Sequence, residues 1–206
     1  MKIIGLCGGS GSGKGMVCDI FRIYDIPSID TDKVYHEFTS RPSSCLDALK
    51  KEFGDAIIAA NGVLDRKALA KIVFCGEGSE ERLGKLNMIA HSYILDETRY
   101  RLSEFEKKGY EFAIVDAPVL FESGFNAECD IVIGVVCDAE IRIERIVLRD
   151  SISRDAAISR INSQMTDAEL MSKCDYIIHN NLDIDSLKNE IEKIVNKIKL
   201  TQKGEN

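Results

Sequence analysis

The sequence predicts an α/β fold, built as a parallel five-stranded sheet with helices on both faces and a helical lobe inserted into it. Five short runs rich in Ile and Val are apolar at consecutive positions, which is typical of strands covered on both faces. Segments of helical periodicity separate these runs, and that order favours a parallel sheet. Between the second and third runs, residues 32–110 are far longer than the roughly dozen residues that a crossover needs.

Strands are predicted along the chain at Lys2–Cys7, Ile26–Ile29, Phe112–Val115, Ile131–Cys137 and Tyr176–His179. In the inserted segment, apolar residues recur on one helix face at Leu83, Leu86, Ala90, Tyr93 and Ile94. A last helix is indicated by an apolar face that comprises Leu187, Ile191, Ile194, Val195 and Ile198. We therefore expect a single domain over 1–206 that carries a helical lobe at 32–110.

Composition and charge narrow the class of protein. The 206 residues suit one domain, and 45% hydrophobic with 30% charged residues is near the average for globular proteins. The net charge of −7 disfavours broad nucleic-acid binding, because an acidic chain repels a polyphosphate backbone. A small anion can still bind where basic groups gather locally.

The seven cysteines have no C-x-x-C spacing, and their number is odd. This pattern disfavours a zinc site or a disulfide framework, so we interpret them as reduced, small core residues of a cytoplasmic protein. No stretch approaches ~18 apolar residues, and the first apolar run is too short for a signal peptide. We expect no membrane partner and a monomer or weak homo-oligomer.

The strongest motif follows the first predicted strand: residues 8–14 read GGSGSGK and fit G-x-x-x-x-G-K. Glycines let the backbone bring its N–H groups close to phosphate oxygens, and the following helix adds its positive N-terminus. Lys14 adds a point charge for the β- and γ-phosphates. The alternative is a glycine-rich turn without a ligand. The predicted nucleotide-binding residues are Gly9, Ser10, Gly11, Ser12, Gly13, Lys14, Gly15 and Met16.

Gly15 departs from this motif, whose last position is normally a Ser or Thr that holds Mg²⁺ through its hydroxyl. Glycine cannot supply that ligand. Either water takes the position, another group holds the metal, or activity is lowered. Mg²⁺ usually keeps several waters, so replacement by water is chemically feasible.

Further segments match a known pattern in order and spacing, almost to residue 200. They are Asp30-Thr31-Asp32 with His36, Gly62-Val-Leu-Asp65-Arg66, Leu86-Asn87 with His91, Val115-Asp116-Ala-Pro118-Val-Leu-Phe-Glu122, Arg145-x-x-x-Arg149-Asp150, Arg160-x-x-x-Gln164 and Asp175-Tyr-Ile-Ile-His-Asn180. Together with the loop, the chain resembles the dephospho-CoA kinase family. It departs from the family at Gly15, at Ser92 in place of a proline, and at Leu170 in place of a basic residue.

The resemblance implies a three-layer P-loop nucleotide-kinase fold. It implies an ATP-dependent phosphotransferase of coenzyme A biosynthesis, which moves the γ-phosphoryl of ATP to the 3′-hydroxyl of dephospho-CoA with Mg²⁺ as cofactor. The inserted segment 32–110 then becomes a substrate-binding lobe, and residues 140–165 become a lid.

Asp32 is the candidate for the group that orients or deprotonates the accepting hydroxyl. It follows the second predicted strand, at the edge where open α/β sheets bind ligands, and the resemblance implies the same role. The alternative is that Asp32 caps a helix over Lys33–Phe38, since aspartate is a favoured cap. Asp30 is interpreted as the structural member of the pair.

Asp116 ends the third predicted strand and is expected to hold Mg²⁺ through water or to contact the substrate. The alternative is a turn or capping residue before Pro118. The resemblance also assigns His36, Arg66 and His91 to the acceptor and Asn180 to the adenine of ATP. The alternative for His36 and for His91 is an ordinary half-buried histidine, and the alternative for Asn180 is a turn residue.

Four arginines fall within one helix and its exit, at Arg142, Arg145, Arg149 and Arg154. Arginine forks suit phosphate oxygens, and a lid can bring them to a nucleotide while it excludes water. Arg149 is the candidate catalytic arginine, and Arg145 the candidate ATP contact. The alternative is a solvated charged face, since acidic residues are interleaved.

Two other functions compete with this interpretation. One is a P-loop kinase for another nucleoside-like alcohol, against which the segments matched within 32–110 argue. The other is a nucleotide-binding relative with weakened catalysis, for which Gly15 is the main support.

Overall fold

The computed structural model describes residues 1–203, so the last three residues of the predicted 1–206 domain lie outside it. The strands within this range are β1 (Lys2–Cys7), β2 (Ser28–Asp30), β3 (Phe112–Asp116), β4 (Ile131–Val136) and β5 (Tyr176–His179). They form one sheet in the order β2-β3-β1-β4-β5. The pairs β1–β3, β1–β4 and β4–β5 are parallel, as the sequence predicts.

Helices connect these strands. They are α1 (Lys14–Ile23), α2 (Thr31–Thr39), α3 (Ser44–Phe53), α4 (Arg66–Phe74), α5 (Ser79–Lys107), α6 (Ala139–Asp150), α7 (Arg154–Asn162), α8 (Asp167–Ser172) and α9 (Ile184–Lys203). The chain divides into two compact units. The first consists of Met1–Ile29 and the chain from Phe105 onward, and the second is Asp30–Glu104.

The first unit is organised around the sheet. Every residue of β3 is buried, which fits a strand covered on both faces. The predicted apolar face of α9 is confirmed, because Leu187, Ile191, Ile194, Val195 and Ile198 all join the core with β1, β4 and α1. Burying one such side chain contributes roughly 1.5–3 kcal/mol. This core fixes the strand ends that carry the loop.

The second strand begins two residues later than predicted, at Ser28 instead of Ile26. The N–H of Ile26 donates to the carbonyl of Phe21 at the end of α1, so it is not free for a neighbouring strand. Pro27 has no N–H to donate, although its carbonyl accepts from Ile114 N at 2.8 Å. The strand continues instead to Asp30, which places this carboxylate at the start of α2.

The second unit has its own core. Cys45, Leu46, Leu49, Ile57, Leu64, Leu69 and Val73 are buried there, and Leu83, Leu86 and Tyr93 of α5 pack against them. The helical spacing predicted for this segment is therefore confirmed for these three residues, while Ala90 is buried and Ile94 half-buried outside this cluster. Ser92 lies within α5, where its hydroxyl donates to the carbonyl of Ile89, and the helix runs through the position at which the family pattern has proline.

The cysteines are all free thiols, but not all of them are buried in the core. Cys7, Cys18, Cys45 and Cys137 are buried as expected, and Cys129 and Cys174 are half-buried. The prediction is wrong for Cys75, which is exposed. Among the helices of the described range, none has the length and apolarity to cross a membrane.

Candidate active site

The glycine-rich loop joins β1 to α1, and its backbone requires glycine at two positions. Gly11 has φ 79° and Gly13 has φ 93°, in the left-handed region that other residues rarely adopt. A Cβ on Gly11 would lie 2.7 Å from the carbonyl oxygen of Arg142, and one on Gly13 would lie 2.1 Å from Nδ2 of Asn180. Both the conformation and the close packing therefore exclude a side chain.

The N-terminus of α1 is built to receive an anion. The first N–H groups of any helix lack intrahelical acceptors, and the N-cap Gly13 has no side chain to accept them. The first turn contains no acidic residue. Ser12 Oγ is buried and has no hydrogen-bond partner within residues 1–203. These uncompensated donors fit phosphate oxygens.

Lys14 adds charge at the same place. Its Nζ donates to the carbonyl oxygen of Gly8 at 2.9 Å and lies 4.0 Å from Oδ1 of Asp116. Asp116 ends β3 and pairs in register with Leu6 of β1, so the fold brings this carboxylate to the loop. The structure thus unites the predicted lysine and the predicted carboxylate of the third strand.

Three side chains hold the loop from outside by its carbonyl oxygens. Arg142 Nε donates to Ser10 O at 2.9 Å, and Arg145 donates to Gly11 O at 3.2 Å. Asn180 Nδ2 donates to Ser12 O at 2.7 Å. Since these carbonyls are bound by protein donors, the loop is fixed in shape before any nucleotide arrives. The arrangement preorganises the loop for phosphate.

Sequence reasoning missed this clamp. It grouped Arg142 and Arg145 with arginines expected to meet phosphate, and it assigned Asn180 to adenine. A glycine-rich loop exposes carbonyl oxygens as well as amide N–H groups, and each buried carbonyl oxygen needs a hydrogen-bond donor. The need for side chains that donate to these carbonyls was therefore the sequence signal that could have predicted the clamp. One of the two amide N–H groups of Asn180 is engaged by Ser12 O, and the assignment of this residue to adenine stays a prediction.

Arg142 is the most deeply placed member of the clamp, with a side chain only 5% exposed. Besides Ser10, its guanidinium contacts Asp167 Oδ1 at 3.1 Å and Gln164 Oε1 at 3.3 Å. Gln164 Oε1 in turn accepts from Ser10 N at 2.9 Å. Arg142 therefore ties the loop to Gln164, which lies between α7 and α8, and to Asp167 at the start of α8, which corrects its grouping with the phosphate-binding arginines.

Arg142→Ala is expected to lower the free energy of unfolding by about 2–3 kcal/mol, because it removes buried charge-assisted hydrogen bonds. Urea denaturation measures this change. Arg154→Ala is the matched control: its ion pair with Glu140 is exposed and screened by solvent, so its loss should lower the free energy of unfolding far less. Equal effects of the two substitutions would contradict the clamp.

Arg149 is not brought to the loop. Its guanidinium binds both oxygens of Asp150, at 2.7 and 2.9 Å, and its side chain is 61% exposed. Arg160 contacts the same carboxylate. Hydrogen bonds from Arg149 and then Arg160 hold the pKa of Asp150 at about 2, so this carboxylate stays charged at neutral pH. The structure thus places Arg145 at the loop and Arg149 in a surface ion-pair cluster.

In the second unit, Asp30 and Asp32 have separate surroundings. Asp30 is the N-cap of α2 and accepts from Lys33 N at 3.0 Å, which supports its structural interpretation. The alternative that Asp32 caps this helix is therefore wrong. Asp32 lies exposed in the first turn, just beyond the carboxyl end of β2.

Two of the residues that are predicted to bind the acceptor substrate contact each other. Arg66, the first residue of α4, lies 2.8 Å from Nδ1 of His36 in α2. Because a guanidinium only donates, this ring nitrogen must be the acceptor. His91 lies half-buried in α5 of the same unit. The fold thus brings His36 and Arg66, which are 30 positions apart in sequence, into contact.

A cleft of about 200 Å³ opens beside the start of the loop, entirely within the first unit. Its walls are Cys7, Gly8, Gly9, Pro118, Val119, Phe121, Glu122, Ser163, Gln164, Met165 and Leu170. Leu170, which replaces a basic residue of the family pattern, is a buried apolar wall here. The sequence signal that pointed to this cleft was the segment from Pro118 to Glu122, which matches the family pattern directly after Asp116.

Comparison with known proteins gives consistent results. A family model described as dephospho-CoA kinase matches residues 2–186. The dephospho-CoA kinase of Bdellovibrio bacteriovorus is 37% identical over 95% of this chain and 95% of its own. The crystal structure of TT1252 from Thermus thermophilus has a TM-score of 0.78 at 26% identity, covering 95% and 97% of the two chains. The dephospho-CoA kinase structure from Campylobacter jejuni has a TM-score of 0.69 at 26% identity, covering 96% and 98%.

Proposed function

The chain belongs to the dephospho-CoA kinase family, and from that premise we propose how its residues divide the work of phosphoryl transfer. The reaction moves the γ-phosphoryl of ATP to the 3′-hydroxyl of dephospho-CoA and gives CoA and ADP. The observation that carries the assignment is the preorganised loop between β1 and α1, with its uncapped helix and Lys14.

The loop and Lys14 bind the triphosphate. Phosphoryl transfer requires positioning and neutralisation of charge more than covalent help. Lys14 Nζ now contacts Gly8 O at 2.9 Å, and we propose that it exchanges this carbonyl for β- and γ-phosphate oxygens when ATP binds. Because protein side chains hold the loop by its carbonyl oxygens, the amide N–H groups of the loop stay directed at the phosphates throughout the reaction.

Asp32 prepares the acceptor by accepting the hydrogen bond of the 3′-hydroxyl and then its proton. The support is its position in the first turn after β2, where the helix is capped by its neighbour Asp30 and not by Asp32 itself. Arg66, which donates to Nδ1 of His36, supplies the positive charge in the second unit to which a substrate phosphate is proposed to bind.

Arg149 becomes catalytic only if it leaves Asp150. A phosphate can compete with Asp150 for the guanidinium, because it is anionic and offers the same arrangement of acceptor oxygens. We propose that ATP drives this exchange within the lid of residues 140–165, while Arg145 stays bound to the loop.

Magnesium fits the site only together with its nucleotide. No cluster of three or more metal-binding side chains occurs within residues 1–203. Mg²⁺ is commonly held by one or two carboxylates plus phosphates and waters, and Asp116 beside Lys14 would supply that carboxylate. When bound, the ion would neutralise charge on the β- and γ-phosphates.

Gly15→Ser is expected to lower the Mg²⁺ concentration that gives half-maximal rate, because it restores the missing hydroxyl ligand. Apart from its chain neighbours and the nearby backbone of α1, a Cβ on Gly15 meets no atom of the described residues within 4 Å, so the side chain fits. Gly15→Ala is the control, since it adds the Cβ and helix propensity without the hydroxyl. Identical Mg²⁺ dependence of the two variants would show that another group already supplies the ligand.

The assignment is tested with purified protein, ATP, Mg²⁺ and dephospho-CoA, and CoA is detected by its mass. Adenosine and uridine are run in parallel as other alcohol acceptors. CoA as the only product supports the assignment. Phosphorylation of a nucleoside instead would favour a nucleoside kinase, and ATP binding without any product would favour a relative that has lost catalysis.

A further inference from the structure

Two cysteines that are far apart in sequence meet beside the phosphate loop. Cys7 is the last residue of β1 and directly precedes Gly8, and Cys174 lies between α8 and β5. Their Sγ atoms are 3.6 Å apart, and both thiols are free. Phosphoryl transfer as derived above uses neither of them.

A glycine in the intervening strand makes this contact possible. Gly134 of β4 pairs in register with Cys7. A Cβ on Gly134 would lie 2.9 Å from the sulfur of Cys174, so any other residue would push that thiol away. A disulfide has an S–S length of about 2.05 Å, and closing the gap requires a movement of about 1.5 Å. The two sulfur atoms are thus close to bonding distance in the reduced protein.

The two thiols differ in exposure and in acidity. Cys7 is buried and Cys174 is half-buried, so an oxidant reaches Cys174 first. The contact between the two sulfurs lowers the pKa of the Cys174 thiol, whereas the same contact and burial raise the pKa of Cys7. Cys174 is therefore the better thiolate, and Cys7 is placed to resolve its oxidised form.

We propose that Cys7 and Cys174 form a peroxide-sensitive pair that closes to a disulfide and thereby weakens ATP binding. The Cys174 thiolate attacks one oxygen of hydrogen peroxide, breaks the O–O bond and becomes a sulfenic acid, and the departing hydroxide leaves as water. The sulfur of Cys7 then attacks the sulfur of Cys174. The S–S bond forms, the S–O bond breaks, and a second water leaves with the proton of Cys7. The two sulfurs together lose the two electrons that the peroxide gains.

The effect on ATP rests on the proposed function. Cys7 is covalently continuous with Gly8, whose carbonyl accepts from Lys14 at 2.9 Å. Pulling Cys7 toward Cys174 moves this anchor of the loop, and a misplacement of about 1 Å in a preorganised site can reduce rates by about 100-fold. We expect the oxidised protein to bind ATP at least about tenfold more weakly.

Hydrogen peroxide is applied to the full reduced chain, remaining thiols are alkylated, and tryptic peptides are analysed by mass. Cys7 and Cys174 are each the only cysteine of their tryptic peptides, 3–14 and 174–188, so a cross-link is assigned directly. We expect a cross-link between these peptides that dithiothreitol removes. Calorimetry should show the loss of ATP affinity and its recovery on reduction.

Two variants test whether the loss of ATP affinity after peroxide depends on Cys174. Cys174→Ser should keep its ATP affinity after peroxide, whereas Cys75→Ser, which removes an exposed thiol of the second unit, should lose affinity as the original chain does. Cross-linking of Cys7 to Cys129, no cross-link at all, or a cross-link without loss of ATP affinity would overturn the proposal. The peptide map on the unaltered chain decides even if Cys174→Ser fails to fold. The peptide map does not depend on enzyme turnover. A missing cross-link can therefore be distinguished from a failure to produce CoA.

Discussion

Lys14→Ala is expected to reduce kcat/KM for ATP by about 100- to 1000-fold, the usual loss when one preorganised charge is removed from a transition state. The lysine lies at the N-terminus of α1, and its Nζ is 2.9 Å from Gly8 O and 4.0 Å from Asp116. Its side chain is only 14% exposed, so the charge acts in a poorly solvated place. Steady-state kinetics with dephospho-CoA as acceptor measure the loss.

The control for this substitution is Lys33→Ala. Lys33 lies in α2, its side chain is 79% exposed, and its ion pair with Asp30 lies on the surface. That variant should keep turnover within about threefold, as expected for a solvated lysine. Thermal unfolding must show that Lys14→Ala remains folded. A folded Lys14→Ala enzyme with normal kcat/KM would remove the loop from the mechanism.

Asp32→Ala is expected to lower kcat by about 100- to 10,000-fold, the usual range for loss of a general base. Asp32→Asn should lose a similar factor, because the amide keeps the shape but cannot take the proton of the hydroxyl. Both variants should unfold close to the temperature of the original protein, since Asp32 is exposed in the first turn of α2 and does not cap the helix. Rapid-quench kinetics with saturating ATP measure the chemical step.

Asp30→Ala is the matched comparison, two residues away in the same segment. Asp30 accepts the N–H of Lys33 as the N-cap, so its loss should reduce stability by about 1 kcal/mol. The pair of variants thus separates two roles that the sequence Asp30-Thr31-Asp32 cannot distinguish. Normal kcat in a folded Asp32→Ala enzyme would exclude Asp32 as the base, whatever the effect at Asp30.

The positions of most strands along the chain and the ends of the loop were predictable from sequence because their signals are local. Consecutive apolar residues in β3 predicted a strand covered on both faces, and every one of its residues is buried. Spacing alone also predicted the apolar face of α9. The start of β2 was misplaced because the N–H of Ile26 bonds back to Phe21, a choice that depends on how α1 ends.

The candidate site was predictable in part. The loop, Lys14 and Asp116 come together as predicted, since parallel strands end at one edge of a sheet. The partners of the arginines were not predictable. Arg145 and Arg149 are one helical turn apart and chemically identical, yet Arg145 binds the loop and Arg149 binds Asp150.

The sequence by itself determined the α/β class, the glycine-rich loop and the chemical class of the ligand, because helix and strand periodicity and the conformational freedom of glycine act over a few residues. Only the tertiary structure decided that Arg142, Arg145 and Asn180 hold the loop by its carbonyls, and that Cys7 meets Cys174. Those contacts join residues more than 130 positions apart. Each hydrogen bond depends on distances of a few tenths of an ångström, which are fixed only when the whole core has packed.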